Sequence, residues 1–230
     1  MINISKLFFH SGTLARIFKR RERNILPGRL IVKPLTALSA FLMMTFFTSV
    51  NAEVTECDRL AANPPDPDRV VEGVPRSQVD IKAAIEACES ALAADPDNAR
   101  FAYQLGRVAF YGGDTPSSLK YIGQAASQGY RQAEFVMGAL ADNRREGVAA
   151  DACAVEDFWY RAASSGHLHA RVAYVRHVTK GLFDSCDLQA DAEELTSLID
   201  IQVTGSAQYF LRLLVSDLKE DVIGYLDAQQ

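Results

Sequence analysis

Tyr121 through Gly129 reads Y-I-G-Q-A-A-S-Q-G, and 37 residues later Phe158 through Gly166 reads F-W-Y-R-A-A-S-S-G. Ala125-Ala126 fall on Ala162-Ala163, Gly129 on Gly166, and Ala133 on Ala170. A unit of this length is one supersecondary element that cannot bury its apolar face alone, so it stacks on its neighbours. The chain is therefore expected to be all-α, built from antiparallel helix pairs. Such stacks more often bind other chains than carry out chemistry.

Helix signals fill in the rest. Asn63-Pro64-Pro65-Asp66-Pro67-Asp68 cannot hold a helix, because each Pro lacks a donor and restricts its predecessor. Residues 53–76 are thus expected to be an irregular Pro-rich lead-in segment. Asp66 and Asp68 read as a solvated turn, since no glycine or distal Glu completes a calcium loop. Ser77, with Asp80 three residues on, is expected to start a lone helix within 77–97. Its apolar face is Ile81, Ala84, Ile85, Cys88, Ala91 and Leu92, and Asp95-Pro96 stops it. Helix pairs are expected over 99–111 and from Pro116, over 131–144 and 152–165, and over 168–180 and 188–201. Residues 206–230 supply C-terminal capping helices, as a fourth pair or as one capping helix over 206–228. No strand alternation follows residue 53.

The first 52 residues read as an address. They hold eight basic residues and one acid, whereas residues 53–230 hold 16 basic and 28 acidic ones. A basic start, an uncharged apolar run over 35–50 and the Val50-Asn51-Ala52 ending are the three parts of a secretory signal, predicting cleavage before Glu53. Sixteen residues with several Ser and Thr fall short of the ~20 that span a bilayer. An uncleaved anchor over 35–50, facing the periplasm, is the alternative and the only expected membrane contact. The acidic body repels phosphates, so no nucleic-acid partner is expected. All four cysteines (Cys57, Cys88, Cys153, Cys186) follow the cleavage site, as export into an oxidising periplasmic or extracellular space would favour. Three pairings are open; proximity along the chain favours Cys57–Cys88 and Cys153–Cys186. No zinc-ligand spacing links them to a histidine.

Phe101, Leu105-Gly106, then Ala133, Met137-Gly138, then Ala170, Tyr174-Val175 occupy one motif position after another. Tyr121-Ile122, Ala125-Ala126 and Gly129 occupy a second set, as do Trp159-Tyr160, Ala162-Ala163 and Gly166. Leu198, Ile201-Gln202 and Gly205 follow more loosely. Over 98–205 the chain resembles the Sel-one-like repeat family, relatives of the tetratricopeptide repeat. The departures are Phe101 at the small-residue place and Tyr174-Val175 at the Leu-Gly place. Ala84, Cys88, Ala91 and Asp95-Pro96 resemble the second helix and exit of a tetratricopeptide unit.

The resemblance implies a short right-handed α-solenoid whose first helices line a concave groove. Transferred by offset, the groove holds Arg100, Tyr103, Arg107 and Phe110, then Gln132, Phe135, Ala139 and Asp142, then His169, Val172, Arg176 and Thr179. Aromatics beside Arg on an acidic protein suit a peptide with apolar side chains and a carboxylate. On that reading, Arg107→Glu would weaken binding and leave the fold intact. Trp159 is expected in the core, and His167 and His169 at solvent. Glu156-Asp157 and Glu193-Glu194 sit near helix starts, favouring the macrodipole. No phosphate loop, nucleophile elbow or zinc-protease motif is present, so neither an enzyme nor a cofactor is expected. The expected role is an exported protein- or peptide-binding adaptor in the cell envelope. A membrane-held structural protein is the alternative, and a hydrolase a more distant one.

Overall fold

The computed structural model describes residues 53–143, 151–203 and 208–229, in which every regular element is helical. The helices are α1 (Glu56–Ala61), α2 (Ile81–Ala94), α3 (Ala99–Tyr111), α4 (Thr115–Ser127), α5 (Arg131–Asp142), α6 (Ala152–Ser164), α7 (Leu168–Thr179), α8 (Ala192–Ile199) and α9 (Tyr209–Asp227). Each packs against its successor, and α1 also reaches α3 while α9 reaches α7. One apolar core joins α1 through α4 to the start of α5, and a second joins α5 through α9. The chain is a stack of antiparallel helix pairs.

The 37-residue echo is a recurring helix end. Gly129 N–H donates to Ala126 O at 3.0 Å and Tyr130 N–H to Ala125 O at 3.0 Å; Gly166 and His167 repeat this with Ala163 and Ala162, both at 2.9 Å. This 6→1 and 5→2 pairing needs a left-handed residue, and Gly129 (φ 77°) and Gly166 (φ 84°) supply it. The tight exit returns the chain at once into the next helix.

The Leu-Gly pairs have a packing cause. A Cβ on Gly106 would stand 2.6 Å from Ile122 Cγ1, and one on Gly138 would stand 2.4 Å from the Trp159 indole. Glycine lets α3 approach α4, and α5 approach α6, closer than any side chain permits. Trp159 is buried, as expected, and its Nε1–H donates to Phe135 O at 3.0 Å. In the third pair Val175, fully buried, takes the glycine's place, and α8 is only eight residues long.

Several expectations are corrected. The lead-in segment is not irregular throughout: Thr55 and Asp58 form a reciprocal capping box that opens α1. Ser77 lies in a 3-10 turn (Arg76–Gln78), and α2 starts at Ile81 because Asp80 is its N-cap, accepting from Ala83 N–H. Of the two forms expected for the C-terminal cap, the described residues show the single helix, α9, and not a fourth pair. The proposed signal segment and cleavage site lie outside the described residues. So does most of the stretch between the helices expected over 131–144 and 152–165; its last residue, Asp151, caps α6.

Both cysteine pairs are disulfides. Cys57–Cys88 ties α1 to α2, and Cys153–Cys186 ties the start of α6 to the segment after α7. The first is sealed in the core, both cysteines being 0% exposed.

Candidate functional site

The groove positions of the first unit are largely occupied by the chain itself. Between α1 and α2, residues 62–74 form a loop closed by Val74 N–H donating to Ala62 O at 2.8 Å. Arg107, buried on α3, grips the neck: its Nη1 donates to Ala61 O (2.8 Å) and Ala62 O (3.0 Å), and its Nη2 to Val74 O (2.6 Å). Arg100 forms a forked pair with Asp58, at 2.8 and 3.3 Å. Asp58 is fully buried and also accepts from Gln104 Nε2 and from Thr55. Tyr103 is buried too, its hydroxyl accepting from Asn63 Nδ2 at 2.7 Å. Arg107→Glu would therefore strike the fold before any partner, contrary to the sequence expectation. A carboxylate there would face three carbonyl oxygens.

The loop's tip reaches the second unit. Asp66, expected to be solvated, is buried and accepts from the Tyr130 hydroxyl (2.7 Å) and from Asp68 N–H (2.9 Å). Burial holds its carboxyl above the usual range, against the opposing pull of the Tyr130 bond. Burial likewise pushes the Tyr130 hydroxyl up, with the Asp66 charge adding to it. Asp68 pairs with Arg131 through both oxygens, at 2.7 and 2.6 Å, and this hydrogen bonding raises the guanidinium's pKa. Arg131 Nη1 also donates to Ser165 O at 2.7 Å, so one side chain links the loop to the turn before α7.

Beside the loop lies a cavity of about 200 Å³. Tyr103, Arg107 and Phe110 line it from α3, with Tyr111, Val136, Leu140, Ile122 and Asn63 completing the wall. Three predicted groove residues thus meet at one opening, joined by α5 residues that the offset transfer missed.

The remaining groove positions do not join that opening. Gln132 is buried, its Oε1 2.9 Å from His167 Nε2. His167 is buried rather than solvent-facing because its Nδ1 caps α7, accepting from Ala170 N–H at 3.1 Å. The proton thus sits on Nε2, facing Gln132. Burial, with His169 and Arg131 adding to it, lowers the His167 pKa to about 4, so the ring is neutral at pH 7. Phe135 stacks on His167 at 4.7 Å and lies 5.9 Å from His169. Asp142 lies 3.3 Å from His177 Nε2. His169 and Arg176 are exposed, while Val172 and Thr179 are half-buried. Glu156 is buried rather than serving a helix start, accepting from Tyr174 (2.8 Å) and Gln189 (3.0 Å). Among the described residues, no group of three or more His, Cys, Asp or Glu side chains gathers as a metal site.

Sequence reasoning missed Tyr130, Arg131, Asp66 and Asp68 as a unit. The one available signal was the Asp-x-Asp spacing opposite an Arg just after the repeat's closing Gly129.

No family model matches the chain, and no curated protein matches it. Among solved structures, a protective antigen present in uropathogenic Escherichia coli strains and displaying an SLR fold aligns at 14% identity with a TM-score of 0.46. The alignment covers 70% of this chain and 32% of that one, so this chain spans about a third of that protein's length.

Proposed function

We propose that this helix-pair repeat protein is an exported adaptor that binds a protein or peptide segment on the face shared by α3 and α5. The observation behind this reading is the opening lined by Tyr103, Phe110, Tyr111, Val136 and Leu140 with Arg107 at its edge. It is sized for one large apolar side chain. Aromatic and aliphatic walls with a few fixed polar groups are the usual anatomy of a recognition pocket. Two disulfides support an oxidising destination. No helix among the described residues is long and apolar enough to cross a membrane. Among the buried titratable groups, Asp66 is tied into a contact between loop and helix, and Glu134 and His167 into contacts between neighbouring helices, which fits binding better than catalysis.

The test is affinity capture from the exported fraction of the source organism, with the unaltered protein and Leu140→Asp as parallel baits. Leu140 is half-buried at the rim, so the change should spare helicity while spoiling the apolar wall. A stoichiometric partner held by the first bait and lost from the second is expected. Equal capture by both, with circular dichroism unchanged, would remove this face from consideration.

A further inference from the structure

The loop over 62–74 is held in the manner of a bound peptide. Its prolines do little of the holding: Pro64, Pro65 and Pro67 are all exposed. What binds it is polar recognition by other elements, with Arg107 on three carbonyl oxygens at the neck and Tyr130 and Arg131 on two carboxylates at the tip. The neck and tip contacts differ in kind. Arg107 is buried, and the neck is continuous with the disulfide-bonded core through α1. Asp68 and Arg131 are both partly exposed, with side-chain exposures of 35% and 26%, so water can compete for that pair. Release of the tip therefore begins at the Asp68–Arg131 pair, since Asp66 is buried against the Tyr130 hydroxyl, and it does not require the neck to open. Asn63, at the start of the loop, also lines the apolar opening between α3 and α5, so loop and opening share a border.

Building on the reading of that face as a binding surface, we propose that Tyr130 and Arg131 form a carboxylate-recognition site that the loop occupies in cis. The partner is then an acidic turn-forming segment with two carboxylates two positions apart. It takes the same two side chains when the Asp66–Asp68 tip lifts away, and the loop is its built-in competitor. A forked Arg–carboxylate pair fixes orientation as well as charge, and a second carboxylate beside a phenol adds register. The two acids are spaced i, i+2 across a turn that Asp68 N–H closes onto the Asp66 carboxylate at 2.9 Å, and they meet adjacent donors at the turn between α4 and α5.

The probe is a blocked synthetic peptide with the sequence of residues 62–74, followed by fluorescence anisotropy on the full chain. In the Asp66→Asn/Asp68→Asn variant the neck clamp stays and the tip loses its charges. The peptide should bind that variant at least tenfold more tightly than the unaltered protein. A peptide carrying the same two Asn replacements should lose the gain, and adding Arg131→Ala to the variant should abolish it. No gain over the unaltered protein overturns the proposal. A second variant joins Ala62 to Val74 through three glycines, since the two residues already face each other across a hydrogen bond. If it is folded by circular dichroism and does not bind the peptide, the loop is only structural filling and the proposal falls. A captured partner lost with Leu140→Asp but never displaced by the peptide would uphold the α3–α5 face and overturn the carboxylate site. Peptide binding with no captured partner would do the reverse.

Discussion

The Tyr130 hydroxyl donates to the Asp66 carboxylate at 2.7 Å across 64 positions of sequence, joining the tip of the lead-in loop to the start of the second helix pair. An ionised carboxylate accepts this bond better than a neutral one, while burial favours the neutral form. Tyr130→Phe should thus cost about 1–3 kcal/mol at pH 7. The deficit should shrink toward pH 3, where a raised carboxyl is protonated in both proteins. Equal deficits in thermal melts at the two pH values would refute this account.

Arg107 satisfies three carbonyl oxygens with one guanidinium. Arg107→Lys keeps the charge but cannot span the loop neck, and should cost about 2–4 kcal/mol in urea unfolding. Loss below ~0.5 kcal/mol would mean that water replaces the clamp without penalty.

Gly138→Ala sets helix propensity against packing. Alanine gains roughly 1 kcal/mol inside a helix, but its Cβ would stand 2.4 Å from the Trp159 indole. Overpacking of this sort typically costs 1–3 kcal/mol or more, so the variant should be destabilised and its tryptophan fluorescence shifted. A higher thermal midpoint would show that Trp159 can move aside.

His167 has its pKa lowered to about 4. A base whose folded pKa is depressed contributes stability above its unfolded value near 6.5, and that contribution is lost as pH falls from there toward about 4. The loss should reach on the order of 3 kcal/mol. His167→Asn keeps a capping oxygen for Ala170 N–H and should flatten the decline between pH 6.5 and 4. An unchanged slope would assign it to other groups.

The two disulfides should reduce in order. Cys57 and Cys88 are fully buried, whereas Cys153 is exposed and Cys186 partly so. Graded reductant followed by thiol labelling and peptide mapping should open Cys153–Cys186 first. Closing loops with separations of 31 and 33 residues, each bridge should contribute about 3–4 kcal/mol in the chain-entropy account. Simultaneous labelling of all four thiols at the lowest effective dose would count against the order.

The helix pairs were legible because their signals are local. Asn98, Asp114 and Asp151 cap the helices that follow them, and Gly129 and Gly166 close the helices that precede them. The α1 helix was not, since a six-residue helix beside a proline run has no period to detect. Its Thr55–Asp58 capping box was the overlooked cue. His167 was misplaced for a similar reason: a histidine after a helix-ending glycine reads as loop surface until the next helix starts directly on it.

The sequence by itself determined the repeat, the turn that closes each of the first two units and the glycines that let their paired helices touch. All of these rest on hydrogen bonds and contacts within one unit. The tertiary structure decided which surface is spoken for. Arg100, Arg107 and Arg131 meet Asp58, the loop neck and Asp68 across more than 30 positions, and the loop between α1 and α2 folds back over α3 and α5. No period or cap encodes such a return. It depends on where a disulfide-anchored, proline-stiffened loop finds donors after the stack has formed, so an offset could name Arg107 and Tyr103 but not tell that their own chain already holds them.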